Sequence, residues 1–238
     1  MKKAIIIGAT SGIGRELAII LADNNYVVGI TGRRKQLLDE LKDTRPDHFI
    51  VSAFDVTETL AVTKKLDELA ADLGKVDLVI LSSGTGELNE QLDLAIEKET
   101  LDVNVTGFTA IANWTIKYFL QQKQGQFAAI TSIAGLRGSR HAPAYNATKA
   151  FQINYLEGLR QKIKRSKLPI TITDIRPGFV DTAMAKGEGK FWVAPVTKAS
   201  KQILNAIENR KRIVYVTKRW RIIAFVLRLI PTGLYSKM

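Results

Sequence analysis

Residues 4 to 14 limit what this chain can fold into more than any other segment. Ala4-Ile5-Ile6-Ile7 is an unbroken apolar run, mostly β-branched, which is how a strand buried on both faces reads. It ends in Gly8-Ala9-Thr10-Ser11-Gly12-Ile13-Gly14, after which Ile13, Leu17, Ile20 and Leu21 recur at helical spacing up to Asn24-Asn25. The order is therefore strand, glycine turn, helix. Glycine permits positive φ and close backbone approach, and a helix amino terminus offers free amide donors and the positive end of a dipole, a combination suited to a pyrophosphate. A purely structural turn is the alternative, because Gly-x-x-x-Gly-x-Gly is not the Gly-x-Gly-x-x-Gly dinucleotide fingerprint.

Further strand-like runs lie at about 26–31, 48–53, 76–82, 126–131, 170–175 and 213–217, separated by helical patterns. This alternation predicts an α/β fold with a parallel, doubly wound sheet and right-handed crossovers. In such sheets ligands lie beyond the carboxyl ends of the strands, and Gly8, Gly84, Ser132 and Pro177 all fall at such ends. A catalytic unit is expected over 1–217, followed by a basic, apolar helical tail over 218–238. No repeat or linker divides the former.

Tyr145 and Lys149 carry the chemistry. Four residues apart on a helix, they lie one turn apart on one face. A lysine ammonium there favours phenolate and is expected to lower the tyrosine pKa from near 10 toward the working pH, fitting Tyr145 for general acid-base catalysis. No other tyrosine in the chain has a lysine four residues on. A solvated helix pair is the competing reading of the spacing alone.

Taken in order along the chain, these motifs resemble the short-chain dehydrogenase/reductase family over roughly residues 3–217. Gly8, Gly12 and Gly14, with Thr10, Ser11 and Ile13 between them, match its cofactor turn, with Ile7 where threonine is usual. Asp55 in Phe54-Asp55-Val56 matches the acidic residue that contacts adenine. Asn104, Ser132, Tyr145 and Lys149 match the catalytic tetrad. Pro177-Gly178, then Val180 and Thr182, match the loop beneath the nicotinamide. One departure is plain: Leu81-Ser82-Ser83-Gly84 replaces the usual Asn-Asn-Ala-Gly, keeping the glycine but losing asparagines that brace the sheet. The resemblance implies a Rossmann-like fold and direct hydride transfer. Tyr145 would exchange the proton and Ser132 polarise the reacting oxygen, while Lys149 would hold the nicotinamide ribose and Asn104 support a water relay. It also implies a homodimer or homotetramer, formed through helices near 100–122 and 145–165. A non-catalytic NADP(H)-binding regulatory protein is the alternative.

Cofactor choice is read after the second strand, in Ile30-Thr31-Gly32-Arg33-Arg34-Lys35. An acidic residue there would accept from the ribose hydroxyl of NAD, whereas arginine can pair with the 2′-phosphate of NADP. Gly32 takes the place of the acid and Arg33 follows it, so NADP(H) is expected over NAD(H), with Arg33 on the phosphate. Arg34 and Lys35 read as solvated charge, and His141 as a loop residue that could instead face substrate.

The chain has no cysteine and two histidines, so thiolate metal ligands are excluded and no metal site is expected. With no signal peptide apparent after Met1-Lys2-Lys3, a cytoplasmic protein is expected. The net charge is +12 in 238 residues. It is uneven, since Lys198 to Met238 hold ten Lys plus Arg against one acid, Glu208. Nucleic-acid binding is not expected, because this charge sits on an apolar tail without a recognisable module. Within the tail, Lys218-Arg219-Trp220-Arg221 leads into an apolar stretch too short to span a bilayer, with Arg221 and Arg228 on one helical face. Peripheral contact at the inner face of a membrane and packing on the domain or a second subunit are both open. Residues 183–195, with Gly187, Gly189, Phe191 and Trp192, suggest hinges beside aromatic walls for a small lipophilic carbonyl or alcohol.

Overall fold

The computed structural model describes residues 1–185 and 191–237. Its seven strands are β1 (Lys2–Ile7), β2 (Tyr26–Gly32), β3 (Phe49–Ala53), β4 (Leu78–Leu81), β5 (Gly125–Ile130), β6 (Ile170–Pro177) and β7 (Ile213–Val216). All pair in parallel, in the order β3-β2-β1-β4-β5-β6-β7. The helices are α1 (Gly12–Asp23), α2 (Lys35–Asp43), α3 (Thr59–Leu73), α4 (Leu94–Leu101), α5 (Phe108–Gln122), α6 (Pro143–Ser166) and α7 (Val196–Glu208), with α8 (Trp220–Leu229) and α9 (Thr232–Tyr235) after the last strand. The expected doubly wound, single-domain Rossmann-like sheet is what forms.

The strand period of two explains the layers. In β1, Ile5 and Ile7 face a core built with α3, α5 and α6, while Ala4 and Ile6 face a second core built with α1, α2 and α7. All four are fully buried, which is why the run is continuous instead of alternating. Central β1 pairs with β2 on one side and β4 on the other, Ile7 lying opposite both Thr31 and Leu81. The chain reverses its winding at this point, and a crevice opens beyond the strand ends there.

Two local irregularities serve the crevice. Asp102–Gly107 forms a π-helical stretch between α4 and α5 and carries Asn104. Extra residues of this kind within helices recur at functional sites. The short helical turn Ile133–Leu136 follows β5 and packs on α6.

Candidate active site

The amino-terminal turn builds one end of the crevice. Gly8 has φ +91°, and its amide and that of Ala9 both donate to the Thr31 carbonyl, at 3.1 and 2.8 Å. A Cβ on Gly8 would lie 2.6 Å from the Ser83 amide nitrogen, so two strand-end backbones touch here. Ser11 precedes α1 with extended backbone and does not cap it with its side chain. The first-turn amides of α1 are thus left without a side-chain acceptor. The Ser11 hydroxyl instead accepts from Arg34 Nη2 at 3.0 Å, as does Thr10 Oγ1 at 2.6 Å. Arg34, expected to be merely solvated, is therefore fixed against the turn. Arg33 is 3.6 Å from Asp55 and its side chain is 60% exposed. Both arginines line the cavity, as does Val56. Asp55 does not: its carboxylate accepts from the amide and hydroxyl of Thr57, both at 2.9 Å. Burial works against its charge, but the Thr57 bonds and the Arg33 charge outweigh that and hold its pKa below the ordinary value.

The other end gathers Asn104, Ser132, Tyr145 and Lys149, the four residues expected to form a tetrad. Ser132 follows β5, and Tyr145 and Lys149 lie one turn apart near the start of α6. The side chain of Ser132 hydrogen-bonds Tyr145, while its oxygen also accepts from the Ala134 amide at 3.1 Å. Lys149 is buried, with Nζ 3.2 Å from the Ile130 carbonyl and 3.1 Å from Gln152 Oε1. Gln152 donates in turn to the Asn104 carbonyl at 2.9 Å. The Asn104 amide grips Thr85 from both sides, accepting from its N–H at 3.0 Å and donating to its carbonyl at 2.7 Å, and also donates to Thr148 at 3.1 Å. These contacts tie the segment after β4 to the helix layer, the bracing left open by Leu81-Ser82-Ser83-Gly84.

The expected fall in the Tyr145 pKa does not occur. Tyr145 has its pKa raised, because the cavity walls enclose the phenol and disfavour phenolate, an effect only partly opposed by the Ser132 hydrogen bond. Lys149 does not lower it in this arrangement, since its ammonium is bound to Ile130 and Gln152 and sits 5.7 Å from the ring centroid. Burial instead lowers Lys149 itself to about 8, against the opposing charge of Asp174. The pair as it stands is a neutral phenol beside a lysine poised to titrate. A neutral phenol is a proton donor.

A cavity of about 830 Å³ joins the two ends. Of the residues expected at the site, Gly8, Thr10, Ser11, Gly12, Ile13, Gly84, Ser132, Tyr145, Lys149, Pro177, Gly178, Val180 and Thr182 line it as well. Gly14 stands behind the wall, where a Cβ would overlap the Gly8 carbonyl, and Asn104 acts through Thr85. His141 is not on the cavity wall; it is 2.6 Å from Glu90 in an exposed loop. Gly187 and Gly189 lie outside the described residues.

Three contributors escaped the sequence reading. Gly86 lies so close under the Tyr145 ring that any side chain would collide with it. Gln152 links Lys149 to Asn104 and had no spacing signal of its own. Trp220 was counted only as part of the tail, but it is 3% exposed and lines the cavity. Its indole lies against Gly178, where a Cβ would overlap the ring, and packs edge-on to Phe179 with centroids 5.6 Å apart. Phe191 joins this cluster at 5.0 Å, with Trp192 beside it at 5.5 Å.

Comparison with known proteins places these features in a lineage. A family model described as short chain dehydrogenase matches residues 2–191. An uncharacterized oxidoreductase of Myxococcus xanthus is 32% identical over 188 residues, covering 77% of this chain and 74% of that protein. One from Staphylococcus aureus is 30% identical over 186 residues, covering 77% and 80%. Among solved structures, ElxO with NADP bound superposes with a TM-score of 0.80 at 19% identity, covering 93% of this chain and 99% of that one. A Burkholderia phymatum short-chain dehydrogenase/reductase in complex with NAD gives 0.84 at 20% identity, covering 96% and 92%.

Proposed function

The chain belongs to the short-chain dehydrogenase/reductase family and is a nicotinamide-dependent oxidoreductase, and from that premise we propose that it works with NADP(H) on a lipophilic carbonyl or secondary alcohol. The observation that carries this reading is that one cavity has Arg33 and Arg34 at one end and Ser132 and Tyr145 at the other. Arg34, held by Thr10 and Ser11 beside the free amides of α1, and Arg33, half released to solvent, would share the 2′-phosphate through paired guanidinium donors. The Gly8 and Gly12 backbone would take the pyrophosphate, and Pro177, Gly178, Val180 and Thr182 would border the nicotinamide. The bound nicotinamide supplies or accepts the hydride.

The chain's own residues handle the oxygen and its proton. Ser132 would donate a hydrogen bond to the reacting carbonyl oxygen, and Tyr145, kept neutral by its enclosure, would deliver the proton as negative charge develops there. Lys149 would offset the phenolate left behind, its charge maintained below about pH 8. Gln152 and Asn104 would hold that ammonium in place through the bonds described above. Leu88, Ile133, Phe179, Met184 and Trp220 supply apolar wall around the same end, which favours a lipophilic substrate. The test is NADPH consumption over a panel of lipophilic ketones, with NADH in parallel. Turnover restricted to NADH, or to polar carbonyls, would reject the finer reading while leaving the family intact.

A further inference from the structure

The face of α8 that points away from the cavity belongs to a different surface. Taking about 100° per residue, α8 divides into three strips. Trp220, Ile223, Ala224 and Leu227 occupy the strip packed on the domain, with Trp220 and Ala224 buried. Arg221 and Arg228 fall together on a second strip. Ile222, Phe225, Val226 and Leu229 occupy the third, and they are 63, 64, 46 and 64% exposed. An amphipathic helix that only covered its own domain would not present four large apolar side chains to water.

The arginine strip borders a second cavity, of about 900 Å³, between α7, β7 and α8. Lys201, Lys211, Lys218, Arg221 and Arg228 line it, and none of these five forms a salt bridge among the described residues. Among the described residues no carboxylate lines it. Arg176 and Tyr215 form its floor, with Arg176 already neutralised by Asp174 at 2.6 Å and donating to the Tyr215 hydroxyl at 3.2 Å. Five free cations converging on one groove without an acid create a potential that a compact anion would relieve. Beside it, an apolar strip suits hydrocarbon.

We propose that this surface docks the protein on an anionic phospholipid bilayer, with headgroup phosphates in the groove and Ile222, Phe225, Val226 and Leu229 inserted among the acyl chains. Charge complementarity selects this occupant: the cations and the apolar strip are adjacent on one helix, as the phosphates and chains are adjacent at a membrane surface. No helix among the described residues is long and apolar enough to cross a membrane, so contact is interfacial. Docking is independent of the substrate reading. It has a consequence for it, because the opposite face of α8 places Trp220 in the wall of the reaction cavity.

The test is co-sedimentation of the full chain with phosphatidylcholine vesicles, with and without phosphatidylglycerol. NADPH binding monitors the fold, and light scattering the oligomeric mass. Binding should require phosphatidylglycerol, decline with added salt, and persist in inorganic phosphate matched to the headgroup concentration at constant ionic strength. Lys201→Glu with Lys211→Glu should weaken it at least ~25-fold, from roughly fivefold per basic residue removed. Phe225→Ser with Leu229→Ser should also release the protein. Both variants should still bind NADPH and keep the same mass. Equal binding to neutral vesicles, none to anionic ones, or undiminished binding by the charge-reversed variant would overturn the proposal. Displacement by inorganic phosphate would assign the groove to a free anion. A fall in mass with Phe225→Ser and Leu229→Ser would assign the strip to a second copy of the chain.

Discussion

At the β1–α1 turn the cavity wall is backbone; at the β7–α8 edge it is side chain. The turn requires glycine at position 8 because φ is +91° and a Cβ there would overlap the Ser83 backbone, a demand set by geometry alone. The edge depends on the Trp220 indole filling the space beside Gly178 and Phe179. A backbone wall leaves a strict mark on sequence, because only glycine meets it. A side-chain wall leaves a looser one, because an apolar helix can be read as packing, docking or both. The two regions should also fail differently: the first by losing the cofactor's phosphate, the second by losing the enclosure of the substrate.

The largest expected effect lies between them and calibrates both. Tyr145→Phe removes the proposed proton donor and should lower turnover by roughly 10²–10⁴-fold, the usual weight of a positioned acid-base group. NADPH affinity, measured by titration, should stay nearly unchanged. Near-normal turnover by this variant would detach the chemistry from both walls.

Trp220→Ala probes the side-chain wall. Removing a buried indole should cost about 3–5 kcal/mol of stability, read by denaturant unfolding, and should raise KM for an apolar substrate. Phe225→Ala, one helical strip away and 64% exposed, should change stability by no more than about 0.5 kcal/mol. Equal losses at the two positions would erase the distinction between the inner and outer faces of α8.

Arg33 and Arg34 probe the other end. Neutralising either should weaken NADPH by about 1.5–3 kcal/mol and NADH far less, as befits hydrogen bonds to a charged group. Arg34→Ala should in addition loosen Thr10 and Ser11, which it now holds. Equal loss for both cofactors would take the phosphate role away from these residues.

A pH dependence is also expected. Lys149 is lowered to about 8 from an ordinary 10.5, so over that interval the unfolded chain binds more protons than the folded one. Stability of the unliganded protein should therefore rise with pH from about 8 to 10.5, as the penalty for burying the ammonium is relieved. Carbonyl reduction should fall through the start of the same window, as the charge beside Tyr145 is lost. Lys149→Met should flatten the stability trend.

The sheet was readable because central strands buried on both faces, β1 and β4, show as continuous apolar runs, and the glycine turn because its geometry excludes other residues. Asn104, Ser132, Tyr145 and Lys149 were singled out by the family resemblance, and the fold brings them together. What escaped depends on contacts between segments remote in sequence. Arg34 looks like surface charge until α1 brings Thr10 and Ser11 under it, and Gln152 looks like any helix polar residue until Asn104 lies opposite. The expected fall in the Tyr145 pKa came from i,i+4 proximity; the Ile130 carbonyl and Gln152, which hold Lys149, are visible only in three dimensions. Trp220 reads as part of an apolar tail until the chain folds back on Gly178.

The proposed function requires that the site transfer hydride from NADPH to a carbonyl carbon. Incubation with NADPH deuterated at the transferable nicotinamide position and a lipophilic ketone, followed by mass spectrometry of the alcohol, tests it directly. Deuterium on the carbinol carbon of the product, formed by the wild type and suppressed in Tyr145→Phe, is the predicted result. Alcohol formed without that label, or NADPH bound tightly with no product across the ketone panel, would contradict it.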